Sequence, residues 1–148
     1  MYHLLALLLI SVVSFSKSDF YKSMESKKET EVFAMEKLVA VSEVNSDQKA
    51  YYGAILMKSA EFQKTPSDKL KKFKQGKELL ENVIGSNPTN TEYRFLRLII
   101  QENAPKLLKY NSNISEDVKL IQDNYPKLSK EIKTAIVNYS KTSSNLSL

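Results

Sequence analysis

The 148-residue chain contains no cysteine and no tryptophan, three glycines, four prolines and one histidine. Without cysteine there can be no disulfide framework, thiolate zinc site, iron–sulfur cluster or thiol nucleophile. The lone histidine, His3, lies in an apolar leader. Beyond it, histidine general bases, serine–histidine triads, imidazole metal sites and haem ligation by histidine are excluded as well. Any catalysis would rest on carboxylates, Lys, Tyr or Ser. No acidic loop with a central glycine marks a calcium site, so neither a metal nor a cofactor is expected. Gly/Ser linkers, low-complexity blocks and strand-like alternation are missing too. What remains is 42% apolar and 26% charged, the composition of one packed domain.

The leader runs apolar from Leu4 to Val13 and is followed by small residues at Ser14 and Ser16. This pattern is that of a secretory signal peptide over 1–18, with cleavage after Ser16 or Ser18. It departs from the usual form in having no Lys or Arg ahead of the apolar run. Spanning a bilayer takes about 20 apolar residues, so the run is too short for an integral span. The expected product is a periplasmic or secreted protein with a single helical domain over 19–141 and a polar tail over 142–148. It keeps the whole formal charge of +5, because the leader holds no Asp, Glu, Lys or Arg.

Apolar spacing is helical almost throughout. Stripes run through Leu70, Phe73, Leu80 and Ile84, through Ile114, Val118, Ile121 and Tyr125, and through Leu128, Ile132, Ala135, Ile136 and Tyr139. Thr65-Pro66-Ser67-Asp68 combines a capping hydroxyl, a proline at the first helical position and an acid in the first turn. Thr89 stands three residues before Glu92, the spacing of a capping box. Ser115 with two following acids begins another helix, and Asn124-Tyr125-Pro126 closes it, because proline pushes its predecessor out of the helical region. These signals predict helices over 29–44, 47–64, 66–85, 90–103, 115–124 and 127–141, with a turn or short helix near 19–26. Short joints between amphipathic helices predict an all-α fold of antiparallel helical hairpins.

Within this pattern Tyr52-Gly53, then Gly76, Leu80, Val83 and Pro88, followed by Thr89 to Tyr93, resembles the tetratricopeptide repeat. Gly76, Leu80, Val83 and Pro88 keep the second-helix spacing of that family. The interval from Gly53 to Gly76 is longer than the family's, and no second copy follows. The resemblance implies a tetratricopeptide-like α-α superhelix that binds protein or peptide in a groove between hairpins. The chain as a whole also resembles uncharacterised exported helical proteins of Gram-negative bacteria, most of all over Glu92 to Asn113.

Several side chains stand out. Arg94 and Arg97 are the only arginines beside twenty lysines, and they share a helix face with Gln101, opposite Tyr93, Leu96, Ile99 and Ile100. A planar fork at such spacing suits a carboxylate or phosphate on a partner; equally, it could tie helices together through Glu92, Glu102 or another internal acid. Tyr110 and Asn113 lie in the non-helical stretch after Ala104-Pro105, where loop side chains serve recognition or simply cross between hairpins. Lys69, Lys71, Lys72, Lys74 and Lys77, with Lys64, read as a solvated basic face able to lean on lipid headgroups or acidic polysaccharide. The other aromatics should be core with hydroxyls at its rim. Glu61, Glu92 and Glu102 are the acids nearest apolar stretches, and no motif selects one for cell-wall hydrolysis. A nucleic-acid partner is not expected, for want of an aromatic platform or helix-turn-helix signature. The combined expectation is a non-catalytic protein-binding or scaffolding module, with a binder of anionic envelope material second and a carboxylate-dependent hydrolase third.

Overall fold

A computed structural model describes residues 15–40 and 45–148. The apolar run Leu4 to Val13, and with it the expected leader up to residue 14, lies outside the described residues. The described chain is all-α, with α1 (Lys17–Glu25), α2 (Glu29–Ala40), α3 (Ser46–Ser59), α4 (Pro66–Ser86), α5 (Thr91–Asn103), α6 (Ile114–Asn124) and α7 (Lys130–Ser140). Short 3-10 turns follow α3 at Ala60–Phe62, precede α6 at Lys106–Leu108 and follow α6 at Tyr125–Lys127. Residues 41–44, expected to extend the second helix, are not among those described.

Capping chemistry sets most helix starts. The Thr65 side chain accepts from the Asp68 N–H with Pro66 in the first turn, as the sequence pattern requires. At α5 the cap is Asn90, which accepts from the Tyr93 N–H, and not Thr89. The Glu92 carboxylate that a capping box would turn back to the backbone is instead taken by Lys17, Tyr21 and Tyr51. Ser16 caps α1, which begins at Lys17, two residues ahead of the expected domain edge at 19. Phe15 packs on Tyr51 with ring centroids 5.5 Å apart. A cut after Ser16 therefore strips α1 of its cap and of this ring contact, and a cut after Ser18 also removes Lys17.

The helices pack as hairpins. Gly53 of α3 faces Gly76 and Leu80 of α4, and Gly76 faces Met57, so the residue order runs in opposite directions and the pair is antiparallel. A methyl group on Gly53 would lie 2.7 Å from the Gly76 carbonyl oxygen, and one on Gly76 would lie 2.8 Å from the Met57 nitrogen. Here glycine permits backbone-to-backbone approach. The α5–α6 pair is antiparallel by the same reasoning, since Thr91 meets Asn124 while Gln101 meets Asn113.

Helix α5 is the central element: every residue from Tyr93 to Gln101 is buried. It packs against α3, α4 and α6, and the rings of Tyr21 in α1 and Tyr139 in α7 both pack on Phe95. Beyond α7 the segment expected to be a polar tail packs back onto the body. Leu146 is 2% exposed, and the Ser143 hydroxyl and Asn145 backbone and side-chain amides donate to Glu102.

Gly76→Ala should cost about 1–3 kcal/mol through overpacking at the α3–α4 crossing. Gly85→Ala, in the same helix with nothing within 4 Å of the added methyl, should stabilise by about 0.5–1 kcal/mol. Urea unfolding of the two variants checks both signs.

Candidate functional site

The residues expected to bind a partner come together in one place, facing inward. Arg97 reaches α6 side-on, with Nε 2.8 Å from Asp117 Oδ2 and Nη2 2.7 Å from Asp117 Oδ1. Its third nitrogen, Nη1, donates to Glu81 of α4 at 3.0 Å. Arg94 Nε lies 2.7 Å from Asp117 Oδ1 as an ionic contact without a hydrogen bond of its own, while Nη2 donates to Glu116. Gln101 donates to Asn113 Oδ1 and accepts from the Asn113 N–H, and the Tyr110 hydroxyl donates to Glu81. Arg94, Arg97, Gln101 and Tyr110 are all buried. The arginine face thus ties α5 to α4 and α6, the second of the two roles open to it on sequence. Its acids are Glu81, Glu116 and Asp117 in place of Glu92 or Glu102. Tyr110 and Asn113, in turn, pin the non-helical stretch and are not displayed by it.

Electrostatics at this junction follow from burial. Asp117 is 0% exposed. Desolvation pushes its carboxyl above the usual range, against the pull of the Arg97 and Arg94 guanidiniums. Glu116, at the solvent edge, is held below its usual range by the Arg94 hydrogen bond. Tyrosine hydroxyls repeat the pattern of a buried donor on an acid: Tyr21 and Tyr51 on Glu92, Tyr93 on Asp47, Tyr110 on Glu81 and Tyr139 on Glu102. Burial and the adjoining carboxylates raise all five above the ordinary phenol value.

The lysines do not make a single face. Lys69, Lys71 and Lys74 are exposed. Lys72 pairs with Glu36 of α2 at 2.8 Å and lies over the Phe33 ring, while Lys77 lies over the Tyr110 ring 4.9 Å from its centroid. These two flank the buried stripe of α4, on opposite sides, and help fasten it.

An open groove lies elsewhere among the described residues. About 810 Å³ in volume, it runs between α1, α3, α4, α5, the stretch after α5 and the segment after α7. Met24, Met57, Phe73, Ile99 and Ile100 form its floor. Leu70 and Leu107, 41% and 90% exposed, stand at its mouth. Lys27, Lys58 and Lys69 share the rim with Glu25, Glu61 and Glu102, and Thr142 and Ser144 complete one wall. Lys58 is paired with Glu61 at 2.5 Å, and Glu102 is occupied by Tyr139, Ser143 and Asn145. Leu70, read as part of a buried stripe, is instead exposed on the groove, four residues into α4 and one turn ahead of the buried Phe73. Leu107 sits on the 3-10 turn that Lys109 ends in a left-handed conformation, φ 49°. A smaller cavity of about 200 Å³ touches Gln101, Tyr110 and Ile114.

Among the described residues no cluster of three or more Asp, Glu, His or Cys could hold a metal ion, and no helix is long and apolar enough to cross a membrane. In comparisons with known proteins, no family model, curated protein or solved structure matches the chain.

Two measurements check this account. Replacing Arg94 and Arg97 together by lysine keeps the charge but loses the fork, and should lower folding stability by about 3 kcal/mol in chemical denaturation, because the Asp117 carboxylate is left buried without its paired donors. Below pH about 10 the five carboxylate-bound phenols are protonated in folded and unfolded chains alike, so their contribution is intact. Above it the unfolded chain ionises first, and stability should fall by up to about 1.4 kcal/mol per pH unit for each tyrosine. Absorbance titration of phenolate should therefore show these tyrosines ionising together with unfolding and not before it.

Proposed function

We propose that this chain is a non-catalytic, exported binding module that seats a partner protein on the mouth of the groove, with α3 and α4 arranged as a tetratricopeptide-like hairpin. The observation that carries the reading is the siting of Leu70 and Leu107. Both are large, apolar and exposed, and both line the same groove. Elsewhere on a soluble surface single apolar residues need no explanation, but two at the rim of a cavity that reaches the core form a patch of the kind that marks interaction sites. The rim carries charges of both signs, which suits a protein surface with its own mixed charges and sets the register of docking. Export rests on the apolar leader with Ser14 and Ser16 behind it.

The other readings have less behind them. Lysine-mediated contact with anionic envelope material has Lys71 and Lys74 on the outer side of α4, but Lys72 and Lys77 are engaged within the fold. For hydrolysis, Glu92 and Glu102 are each taken up by tyrosine hydroxyls and other internal donors.

A photo-crosslinking residue at position 107, introduced in the native host, should give one discrete protein adduct in the envelope or secreted fraction. The same residue at position 119, outside the groove, should not. Leu70→Asp should abolish the adduct at 107 while leaving the helical circular-dichroism spectrum intact. Identical adducts at both positions, or none at 107, would overturn the reading.

A further inference from the structure

The depth of the groove says something its mouth does not. Met24, Met57, Phe73, Ile99 and Ile100 line it, yet each exposes only 3–6% of its surface. A guest that reaches this floor with the least displacement of side chains is closer in girth to a polymethylene chain than to an α-helix, which with its side chains is about 10–12 Å across. The volume of about 810 Å³ lies inside the range of small-molecule sites, about 300–1,000 Å³. Two of the five floor residues are methionines, the side chains best able to reshape around a flexible apolar guest.

Charge at the rim indicates the other end of such a guest. Lys58 and Glu61 neutralise each other, and Glu102 is held by Tyr139, Ser143 and Asn145. Among the described residues that leaves Lys27 and Lys69, both exposed and outside any ion pair, with Glu25 as the remaining acid of the groove's lining. Two ammonium groups at the mouth of an apolar slot complement one carboxylate on an alkyl chain.

We propose that the groove binds one long-chain fatty carboxylate, its alkyl chain lying on Met24, Met57 and Phe73 and its head group between Lys27 and Lys69. The proposal rests on the groove being the binding site, as above, but not on the partner being a protein.

Calorimetric titration of the delipidated full chain with palmitate tests it. Binding should saturate at one palmitate per chain and weaken roughly tenfold for each two carbons removed, through myristate to laurate, following the methylene contribution to apolar burial. Hexadecanol should bind several-fold more weakly than palmitate, and Lys27→Glu with Lys69→Glu should remove that preference. Ala104→Trp, which fills the groove from the half-buried end of α5, should weaken palmitate at least tenfold. Leu107→Asp, at an exposed position that folding does not depend on, should weaken it several-fold; Lys71→Glu on the outer face should change nothing. A folded chain with no saturable binding, a flat chain-length series, or undiminished binding by Ala104→Trp would overturn the proposal. So would a dimer that Ala104→Trp dissociates, which would make the occupant a second copy. Loss of palmitate binding with the adduct at 107 retained defeats this inference alone; palmitate binding with no adduct defeats the protein-partner reading alone.

Discussion

One buried carboxylate organises the centre of this molecule. Asp117 has no exposure to water, and both of its oxygens are engaged by two guanidiniums from α5. Such a charge is tolerated only with its partners in place. This requirement fixes the register of α6 along α5 more tightly than the half-buried apolar stripe of α6 could, since Ile121 is the one member of that stripe in the core. Through Arg97 the same constraint extends to Glu81 of α4, and through Glu81 to Tyr110. Three elements and the crossing stretch between α5 and α6 are thereby positioned by a single polar cluster. The fold uses specific geometry at the junction where an ordinary helical bundle would use aliphatic packing.

The groove follows from the way the remaining elements surround α5. On the α6 side the polar cluster draws the helices together. On the side of Ile99 and Ile100 the ends of α3, α4 and α5 converge through small residues and prolines, including Ala60, Pro66, Ala104 and Pro105, which line the opening. Short side chains at converging helix ends leave space that no neighbour fills. The segment beyond α7, fastened by its bonds to Glu102, forms a wall without closing the gap. A tightly fixed polar junction on one side and an unfilled apolar slot on the other are thus two sides of the same central helix.

Much of the helical framework was legible because it is written in local signals. Thr65 with Pro66 starts α4, and α6 ends at Asn124 ahead of Pro126 as expected. Tyr125 nevertheless keeps helical angles, φ -46° and ψ -45°, and opens a 3-10 turn where the proline was expected to push it out of the helical region. Arg94, Arg97 and Gln101 were legible as one helix face from their spacing, and Tyr110 and Asn113 as candidates from their place in the stretch after Pro105; that the two sets adjoin was not legible. Nor was the direction of the arginine face, because periodicity separates polar from apolar faces but does not tell a face turned to solvent from one turned to another polar face. Asp117 reads on its own as an ordinary first-turn acid. Glu92 looked like a capping residue at the correct spacing and lost that role to hydroxyl and ammonium donors distant in sequence. The groove could not be read at all, since Met24, Phe73 and Ile99 come from three helices and Leu107 stands in a turn with no periodicity.

The contact between Gly53 and Gly76 carries a consequence for inheritance. Every single-base change that alters a glycine codon's meaning yields a residue with more atoms at the α-carbon, or a stop. At most core positions the genetic code supplies a near neighbour, valine for isoleucine or leucine for methionine, and drift can proceed in small volume steps. At these two positions the code offers no small step, because alanine already brings a methyl group against the opposing backbone. The crossing of α3 and α4 should therefore be among the slowest parts of the chain to diverge, however freely the charged surface around it is rewritten.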